Sequence, residues 1–273
     1  MEIKELQEKA LLVRQDIIRA TYNAGSGHPG GSLSAVEVLV SLYFEVMNID
    51  PKQPKMEGRD KFVLSKGHAT PVLYSTLAER GFFDKKELVN FRKKGHMLQG
   101  HPSLNVPGVE IATGSLGQGI SGAVGFALAN RLNGDPGNVY VVLGDGEIQE
   151  GIVWEAAMAA AHYKLEKLIA IVDHNGLQID GKNDDVMTVN PIDKKFEAFG
   201  WNVINVPDGH DFTLLLDAFA KAKSFNNGKP TCIVAETHKG HGVSFMEDNP
   251  DWHGKAPNKE LAEQAMKELG GEL

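Results

Sequence analysis

Short apolar runs alternate with helical patterns over the second half of the chain, and this alternation limits the possible folds more than any other feature. The apolar runs predict strands at residues 138–143, 168–172, 202–206 and 231–235. Helices are predicted between and after them, at residues 147–162, 193–199, 212–222 and 258–269. Strands that are apolar along their whole length are typical of parallel sheets buried on both faces. We therefore predict an α/β protein with a parallel sheet flanked by helices on both faces.

The first half of the chain adds helices and one more strand. Residues 4–23 place apolar side chains three or four positions apart, as in an amphipathic helix, and this pattern stops at residues 25–27, Gly-Ser-Gly. Further helices are predicted at 34–46 and 70–80, a strand at 62–64, and irregular backbone at 92–117. Because no Pro-, Gly- or Ser-rich linker divides the chain, we expect a single domain over residues 1–273.

Composition excludes several classes of protein. An apolar fraction of 42% is too high for a disordered chain, and a single cysteine, Cys232, cannot form a disulfide framework. The longest apolar run, residues 156–161, is too short to cross a membrane, and the charged N-terminus is unlike a secretion signal. The net charge of -8 and the lack of a basic stripe argue against binding to nucleic acid. We expect a soluble cytoplasmic protein.

Polar side chains follow two successive predicted strands. Asp145 stands in a Gly-Asp-Gly sequence after the strand at 138–143, and Asn175 follows the strand at 168–172. Ligands bind open α/β sheets at the carboxyl ends of their strands, and a carboxylate together with an amide oxygen suits Mg²⁺. These residue types are also common in plain turns at strand ends. Local sequence alone leaves both interpretations open.

The spacing of these residues favours the binding site. The segment from Gly144 to Asn175 resembles the thiamine diphosphate motif, which begins with Gly-Asp-Gly and ends in Asn about thirty residues later. Other segments resemble the transketolase family in particular: 26–30 (SGHPG), 65–69 (SKGHA), 100–102 (GHP), 113–119 (TGSLGQG) and 252–255 (WHGK). Together they span nearly the whole chain, but only the N-terminal, diphosphate-binding half of a transketolase.

This resemblance implies a cofactor, a metal ion and residues that hold them. Thiamine diphosphate would bind with Mg²⁺, for which Ca²⁺ or Mn²⁺ can substitute, and the ion would be held by Asp145, Asn175 and the backbone carbonyl of Leu177. The cofactor contacts implied are His68, Gly114, Ser115, Leu116, Gly146, Asn175, Lys239 and His253. Gly114 to Leu116 would stand at the entry to a helix that carries four glycines. For the last two, Gly122 and Gly125, we expect close packing on the sheet instead.

Four of the ten histidines lie in Gly-containing loops: His28, His68, His101 and His253. The resemblance implies that they are catalytic. His28, His101 and His253 would bind substrate oxygens and transfer protons, and His68 would contact the cofactor phosphate and the substrate. Taken singly, each fits an ordinary hydrogen bond within a loop. A zinc site formed by His238, His241 and His253 is a weaker alternative. The remaining histidines are expected to have structural roles or to lie on the surface.

Two positions depart from the family pattern, and two acids fit it in an ambiguous way. Gly31 stands where many transketolases carry a serine that touches the cofactor, and Glu236 stands where they often carry lysine. Glu150 and Glu155 match acids that lie near the subunit interface in the family, but they also fit a solvated helix face.

The half of a transketolase that the resemblance does not cover carries the glutamate that activates the cofactor. The resemblance therefore implies the N-terminal subunit of a split transketolase, inactive alone. Its partner would carry the pyrimidine-binding and C-terminal domains, with two copies of each chain in a heterotetramer that acts on sugar phosphates of the pentose phosphate pathway. The alternatives are a split enzyme for a branched or sulfonated sugar, the α chain of a 2-oxo-acid dehydrogenase, and a non-catalytic thiamine diphosphate-binding protein.

Overall fold

A five-stranded parallel sheet forms the centre of the computed structural model, which describes residues 1–273. Its strands are β1 (Lys61–Leu64), β2 (Val139–Gly144), β3 (Leu168–His174), β6 (Asn202–Val206) and β7 (Thr231–Glu236), in the spatial order β1-β2-β3-β7-β6. A small hairpin of β4 (Leu177–Gln178) and β5 (Gly181–Lys182) follows β3 and was not predicted from the sequence. The predicted parallel sheet is confirmed.

Ten α-helices surround this sheet, and they cover both of its faces. They are α1 (Ile3–Ala24), α2 (Pro29–Leu33), α3 (Val36–Ser41), α4 (Thr70–Arg80), α5 (Gln118–Asn133), α6 (Gly151–His162), α7 (Asn183–Val186), α8 (Ile192–Ala198), α9 (Phe212–Ser224) and α10 (Lys259–Glu268). None of these helices is both long enough and apolar enough to cross a membrane. Residues 92–117 contain no regular element, as predicted.

Side chains that alternate along the strands separate two hydrophobic cores. On β2, Tyr140 and Val142 point into the core formed with helices such as α1, α3, α4 and α9, whereas Val141 and Leu143 point into the core formed with α5, α6 and α8. Both sets are fully buried. A strand that is apolar at every position therefore fits here because each face of the sheet is covered by helices.

Two predicted helices have different boundaries in the structure, and local hydrogen bonds explain one of the differences. The helix predicted at 147–162 begins as a short 3₁₀ turn, Gly146–Gln149, before α6 starts. The Glu147 carboxylate accepts hydrogen bonds from the backbone N–H groups of Gly117 and Gly144, which ties this turn to the neighbouring loop. The helix predicted at 34–46 is divided into α3 and a π-helical turn, Leu42–Val46, and the short helix α2 precedes it.

Helix α5 packs tightly against the end of β1 at Gly119. A Cβ atom built at Gly119 would lie 2.5 Å from Cα of Ser65, which is backbone and cannot move aside. At Gly122 the Cβ would lie 2.7 Å from Cδ1 of Ile111, so close packing explains this glycine. No atom lies within 4 Å of a Cβ at Gly125. The expectation of close packing was therefore wrong for Gly125.

We expect Gly119→Ala and Gly125→Ala to change the stability of the protein in opposite directions. Overpacking against Ser65 should lower the free energy of unfolding of Gly119→Ala by about 1–3 kcal/mol. Gly125→Ala should raise it by up to about 1 kcal/mol, because alanine is the better helix former and its methyl group enters open space. Urea unfolding followed by circular dichroism measures both changes. A Gly119→Ala variant as stable as Gly125→Ala would contradict this account of the packing.

Candidate functional site

A cleft of about 310 Å³ opens at the carboxyl ends of β2 and β3. Most of the predicted site residues line it: His28, His68, Gly114, Leu116, Asp145, Gly146, Asn175, Leu177, Lys239 and His253. His101 does not line the cleft directly, but its ring packs on Gly114, where a Cβ would lie 2.8 Å from Cδ2 of the imidazole. Ser115 is exposed beside these residues and does not line the cleft. The fold thus gathers residues that lie as far apart in the chain as His28 and His253.

Asp145 and Asn175 lie close together because their strands are paired in register, with Gly144 opposite Asp173. Asp145 is 1% exposed, and its carboxylate accepts hydrogen bonds from the N–H groups of Gly146 (2.8 Å) and Gly176 (2.6 Å). Burial and the neighbouring Asp173 raise the pKa of the Asp145 carboxyl. A cation at this position would offset both effects.

The amide of Asn175 is oriented by its neighbours. Its Nδ2 donates to Oδ2 of Asp173 over 3.1 Å, and its Oδ1 accepts from the N–H of Leu177 over 3.1 Å. A carboxylate, an amide oxygen and a backbone carbonyl are hard oxygen donors of the kind that Mg²⁺ prefers. No group of three His, Cys, Asp or Glu side chains is arranged for metal binding. A cation held by these donors would complete its coordination with water and phosphate oxygens.

Lys239 is buried at the edge of the cleft and is not a solvated surface lysine. Its ammonium donates to the carbonyl oxygen of Leu177 over 3.0 Å and to Nδ1 of His253 over 2.9 Å. Burial lowers the pKa of Lys239 to about 8, and the nearby Lys66 acts in the same direction. The contact with Leu177 puts a positive charge beside the carbonyl that the family resemblance assigns to a metal ion.

The floor of the cleft contains a buried ion pair that sequence reasoning missed. Lys66 is 1% exposed; its ammonium pairs with the Asp173 carboxylate and donates to the carbonyl of Gly31 over 2.7 Å. The hydroxyls of Ser34 and Thr237 also donate to Asp173. Burial alone would raise the pKa of Asp173, but Lys66 and these hydroxyls hold it below its ordinary value. Asp173 therefore stays ionised, fixing both Lys66 and the Asn175 amide.

Gly31 and Gly146 both border the cleft, but the space around them differs. A Cβ at Gly31 would lie 3.6 Å from Nε2 of His68, which is ordinary contact distance, so the site has room for the serine that the family resemblance implies there. At Gly146 a Cβ would lie 3.3 Å from Cβ of Gln178 and 3.5 Å from Oδ1 of Asn183. A side chain at Gly146 would fill part of the space beside the side chains of Gln178 and Asn183. The residues present therefore fit a bound diphosphate and its metal ion.

Three histidine rings form one cluster above this floor. The ring centroids of His28, His68 and His253 lie 5.1 to 5.5 Å apart. Burial is the main reason that the pKa of His28 falls to about 4, that of His253 to about 3, and that of His68 well below its usual value. Burial and Arg92 also lower the pKa of His101. All four imidazoles are thus neutral at neutral pH.

The remaining histidines lie outside this cluster. His210 stacks on His241 with centroids 3.6 Å apart, and His238 lies beside them, bonded through Nδ1 to the Asp248 carboxylate. Neither His238 nor His241 joins His253 in a metal-binding group, so the zinc site proposed as a weaker alternative has no support. His174 forms a pair with Glu236, whose hydrogen bond raises the pKa of the imidazole.

The pair with His174 gives Glu236 a role at a position where the family resemblance implies lysine. These two residues lie opposite each other in the register of β3 and β7, and their side chains meet over 2.7 Å. Glu150 and Glu155 are both exposed in this chain.

Comparison with known proteins was made on both sequence and structure. A family profile described as "Transketolase, thiamine diphosphate binding domain" matches residues 7–272. A protein of Phocaeicola vulgatus, named as a subunit of apulose-4-phosphate transketolase, is 39% identical, over 98% of this chain and 95% of that protein. The "6-deoxy-6-sulfo-D-fructose transketolase subunit SqwG" of Clostridium sp. (strain MSTE9) is 42% identical, over 97% of this chain and 96% of that protein.

A solved structure agrees with these sequence matches. The transketolase from Campylobacter jejuni superposes with a TM-score of 0.93 at 34% identity, and the match covers 100% of this chain and 44% of that one. The chain therefore spans less than half of that transketolase, but nearly all of the two subunits.

Proposed function

Because the chain belongs to the transketolase thiamine diphosphate-binding family, we propose that it is the N-terminal subunit of a split transketolase. Such an enzyme transfers a two-carbon ketol unit from a ketose phosphate to an aldose phosphate. The observation that carries the proposal is the geometry of the cleft, where Asp145 and Asn175 stand below a cluster of three neutral histidines. The sequence matches to transketolases leave no support for the α chain of a 2-oxo-acid dehydrogenase.

Within this proposal the floor of the cleft binds thiamine diphosphate and Mg²⁺. Asp145, Asn175 and the Leu177 carbonyl would hold the metal ion, and Lys239 would add positive charge toward the diphosphate. The backbone at Gly146 and the loop Gly114, Ser115 and Leu116 would border the cofactor, together with His68 and His253. When bound, this cofactor supplies a carbon nucleophile that takes up the ketol unit.

The histidines would act on the oxygens of the sugar. A neutral imidazole can donate a hydrogen bond to a developing alkoxide, and such donors contribute strongly when water is excluded. We assign His28, His101 and His253 to substrate oxygens and proton transfer, and His68 to the cofactor phosphate and the substrate. Burial keeps these rings uncharged, and a neutral imidazole has one N–H group that can donate a hydrogen bond.

A second polypeptide would complete the enzyme. The two relatives of similar length are each named as one subunit of a transketolase, and the single-chain transketolase is more than twice as long. We propose a partner with the pyrimidine-binding and C-terminal domains, two copies of each chain, and a place in the cytoplasm within the pentose phosphate pathway. The partner would supply the glutamate that activates the cofactor.

Ketol transfer from xylulose 5-phosphate to ribose 5-phosphate tests this proposal. The assay contains thiamine diphosphate and Mg²⁺, with this chain alone or mixed with the product of the adjacent gene. We expect activity only in the mixture. Activity of the chain alone would contradict the need for a partner. A stable complex that binds the cofactor but transfers no ketol unit between these sugars would contradict the proposed substrates.

A different sugar is the second candidate, and the names of two relatives favour it. They refer to apulose 4-phosphate and to 6-deoxy-6-sulfo-D-fructose, a branched and a sulfonated sugar. The same mixture assayed with each of these sugars as donor would decide between the two candidates. The cluster of neutral histidines argues against a protein that only binds the cofactor.

Replacing His28 with alanine should separate catalysis from cofactor binding. In the assembled complex we expect kcat to fall about 100-fold, the effect of losing one hydrogen-bond donor or proton-transfer group. Affinity for thiamine diphosphate should stay within about twofold, because His28 is not among the proposed cofactor contacts. His96→Ala, which removes an exposed histidine, is the matched control. Unchanged turnover in His28→Ala would end this assignment.

A further inference from the structure

Arg92 has a backbone conformation that an arginine rarely adopts. Its φ is 60°, in the left-handed region, and only Lys164 and Asp248 share this feature among the non-glycine residues. Such a conformation costs free energy for a side chain without special turn chemistry, and it persists where the surroundings impose it. Its backbone N–H donates to the carbonyl of Leu98 over 2.7 Å, which holds the turn.

The strained backbone directs the guanidinium of Arg92 toward His28. Nη2 of Arg92 lies 3.3 Å from Nδ1 of His28, and Nη1 lies 3.5 Å from the Ser26 hydroxyl. Nε of Arg92 is buried without a hydrogen-bond partner. A Cβ at Gly100 would lie only 2.9 Å from this Nε, so the glycine leaves room for the guanidinium. The position of Arg92 beside His28 therefore requires both a strained backbone and a buried Nε–H group without an acceptor.

The chemistry of the pair fixes where the proton of His28 lies. A guanidinium can only donate hydrogen bonds, so Nδ1 of His28 must be the acceptor and carries no proton. The proton of the neutral ring is then on Nε2. We propose that Arg92 is a positioning residue that holds His28 as an Nε2–H hydrogen-bond donor. No sequence pattern indicates a role for Arg92.

This assignment limits which histidines can accept a proton from the sugar, and this consequence rests on the proposed function. With Nδ1 bound to Arg92 and Nε2 protonated, His28 donates to a sugar oxygen but has no free lone pair with which to take a proton. His253 is constrained in the same way when protonated Lys239 donates to its Nδ1. The ring of His101 makes no hydrogen bond within the chain, which leaves its lone pair free to accept a proton.

The groups that face His28 support a ring that stays neutral. They are Arg92, Lys239, His101, His68 and His253. Burial lowers the pKa of His28 to about 4, with further lowering by Arg92, His101 and Lys239. His28 therefore remains a neutral donor across the physiological pH range.

Nitrogen-15 NMR of the imidazole side chains tests the proposal on the full chain without any assay of activity. The His28 signals are identified by their loss in His28→Ala. We expect a single tautomer protonated at Nε2 in the unmodified protein. In Arg92→Asn the two tautomers should mix, and the pKa of His28 should rise because a neighbouring cation has gone. Asparagine tolerates the left-handed conformation, so the loop should keep its backbone.

Lys164→Asn provides a matched control. Lys164 also has a positive φ (53°), and the substitution also removes one positive charge, but Lys164 lies outside the cleft. It should leave the His28 tautomer unchanged. A His28 ring protonated at Nδ1, or one unaffected by Arg92→Asn, would overturn the proposal. So would an equal response in Lys164→Asn.

A kinetic measurement on the assembled complex adds a second readout. Arg92→Asn should lower kcat about 10- to 100-fold with little change in KM, which is the range for removing a partner that orients a functional histidine. An unchanged kcat would contradict the role of Arg92 in turnover. If the complex has no transketolase activity at all, the proposed function fails, while the NMR experiment still decides the role of Arg92.

Discussion

Asp145→Asn is expected to weaken the binding of thiamine diphosphate in the presence of Mg²⁺ by at least about 100-fold, or roughly 2.7 kcal/mol. Asparagine has the same shape, but it removes the negative charge and one of the two oxygen atoms at this position. Asp145 is 1% exposed, so little water can replace the oxygen ligand that the cation loses. Titration calorimetry on the assembled complex, at several Mg²⁺ concentrations, measures the change.

The interpretation of this result depends on the control and on the fold of the variant. Asp180→Asn removes the same charge from an exposed residue that lines the same cleft, and it should change the affinity less than about threefold. Asparagine at position 145 also loses one of the two acceptors for the N–H groups of Gly146 and Gly176, so urea unfolding must be measured in parallel. An Asp145→Asn variant with unchanged affinity and unchanged Mg²⁺ dependence would refute the metal assignment.

Lys66→Met should lower the free energy of unfolding by about 3–5 kcal/mol, the usual cost of removing one partner from a buried ion pair. Methionine fills a similar volume, but it leaves the Asp173 carboxylate buried without its cation. Ser34, Thr237 and Asn175 still donate to this carboxylate, yet none of them carries a charge. Urea unfolding followed by circular dichroism gives the measurement. Lys194→Met, in an exposed pair with Glu197, should cost less than about 1 kcal/mol.

The buried ion pair of Lys66 and Asp173 should also make the stability of the protein depend on pH. The folded-state pKa of Asp173 is below that of the unfolded chain, so the stabilisation is complete above the unfolded value, about 3.9. It is lost as the pH falls through the folded value. In Lys66→Met the pKa of Asp173 rises, because its cation is gone. Stability should then decline from a higher pH than in the unmodified protein. A variant as stable as Lys194→Met would show that Lys66 does not compensate Asp173.

The sequence predicted the sheet and the position of the site because both depend on short-range patterns. Continuous apolar runs identified β2 and β3, and adjacent parallel strands necessarily bring Asp145 and Asn175 to the same edge. The loop histidines could be singled out because His28, His101 and His253 lie among glycines and away from any helix or strand pattern. These features are read from a few neighbouring residues.

The sequence did not predict the buried polar contacts, because their partners lie far apart along the chain. Lys66 and Asp173 form their ion pair only after folding brings β3 and the loop after β1 together. In the sequence alone, Lys66 resembles a solvated lysine. Glu147 was placed in a helix by its apolar surroundings, whereas its carboxylate binds the backbone of Gly117 and Gly144. Arg92 gave no signal, since its role depends on a backbone angle that no sequence pattern records.

The order of strands in the sheet also sets how the chain assembles. Strands β2 and β3 are neighbours joined through α6, so their pairing closes a short loop, whereas β1 pairs with β2 across about 75 residues. The entropy lost on closing a loop grows with its length, and long-range pairing slows folding. We therefore expect the β2–α6–β3 unit to form early and β1 to dock on it afterwards. On this view, the site residues at the ends of β2 and β3 come together before the loop of Lys66 and His68 joins them.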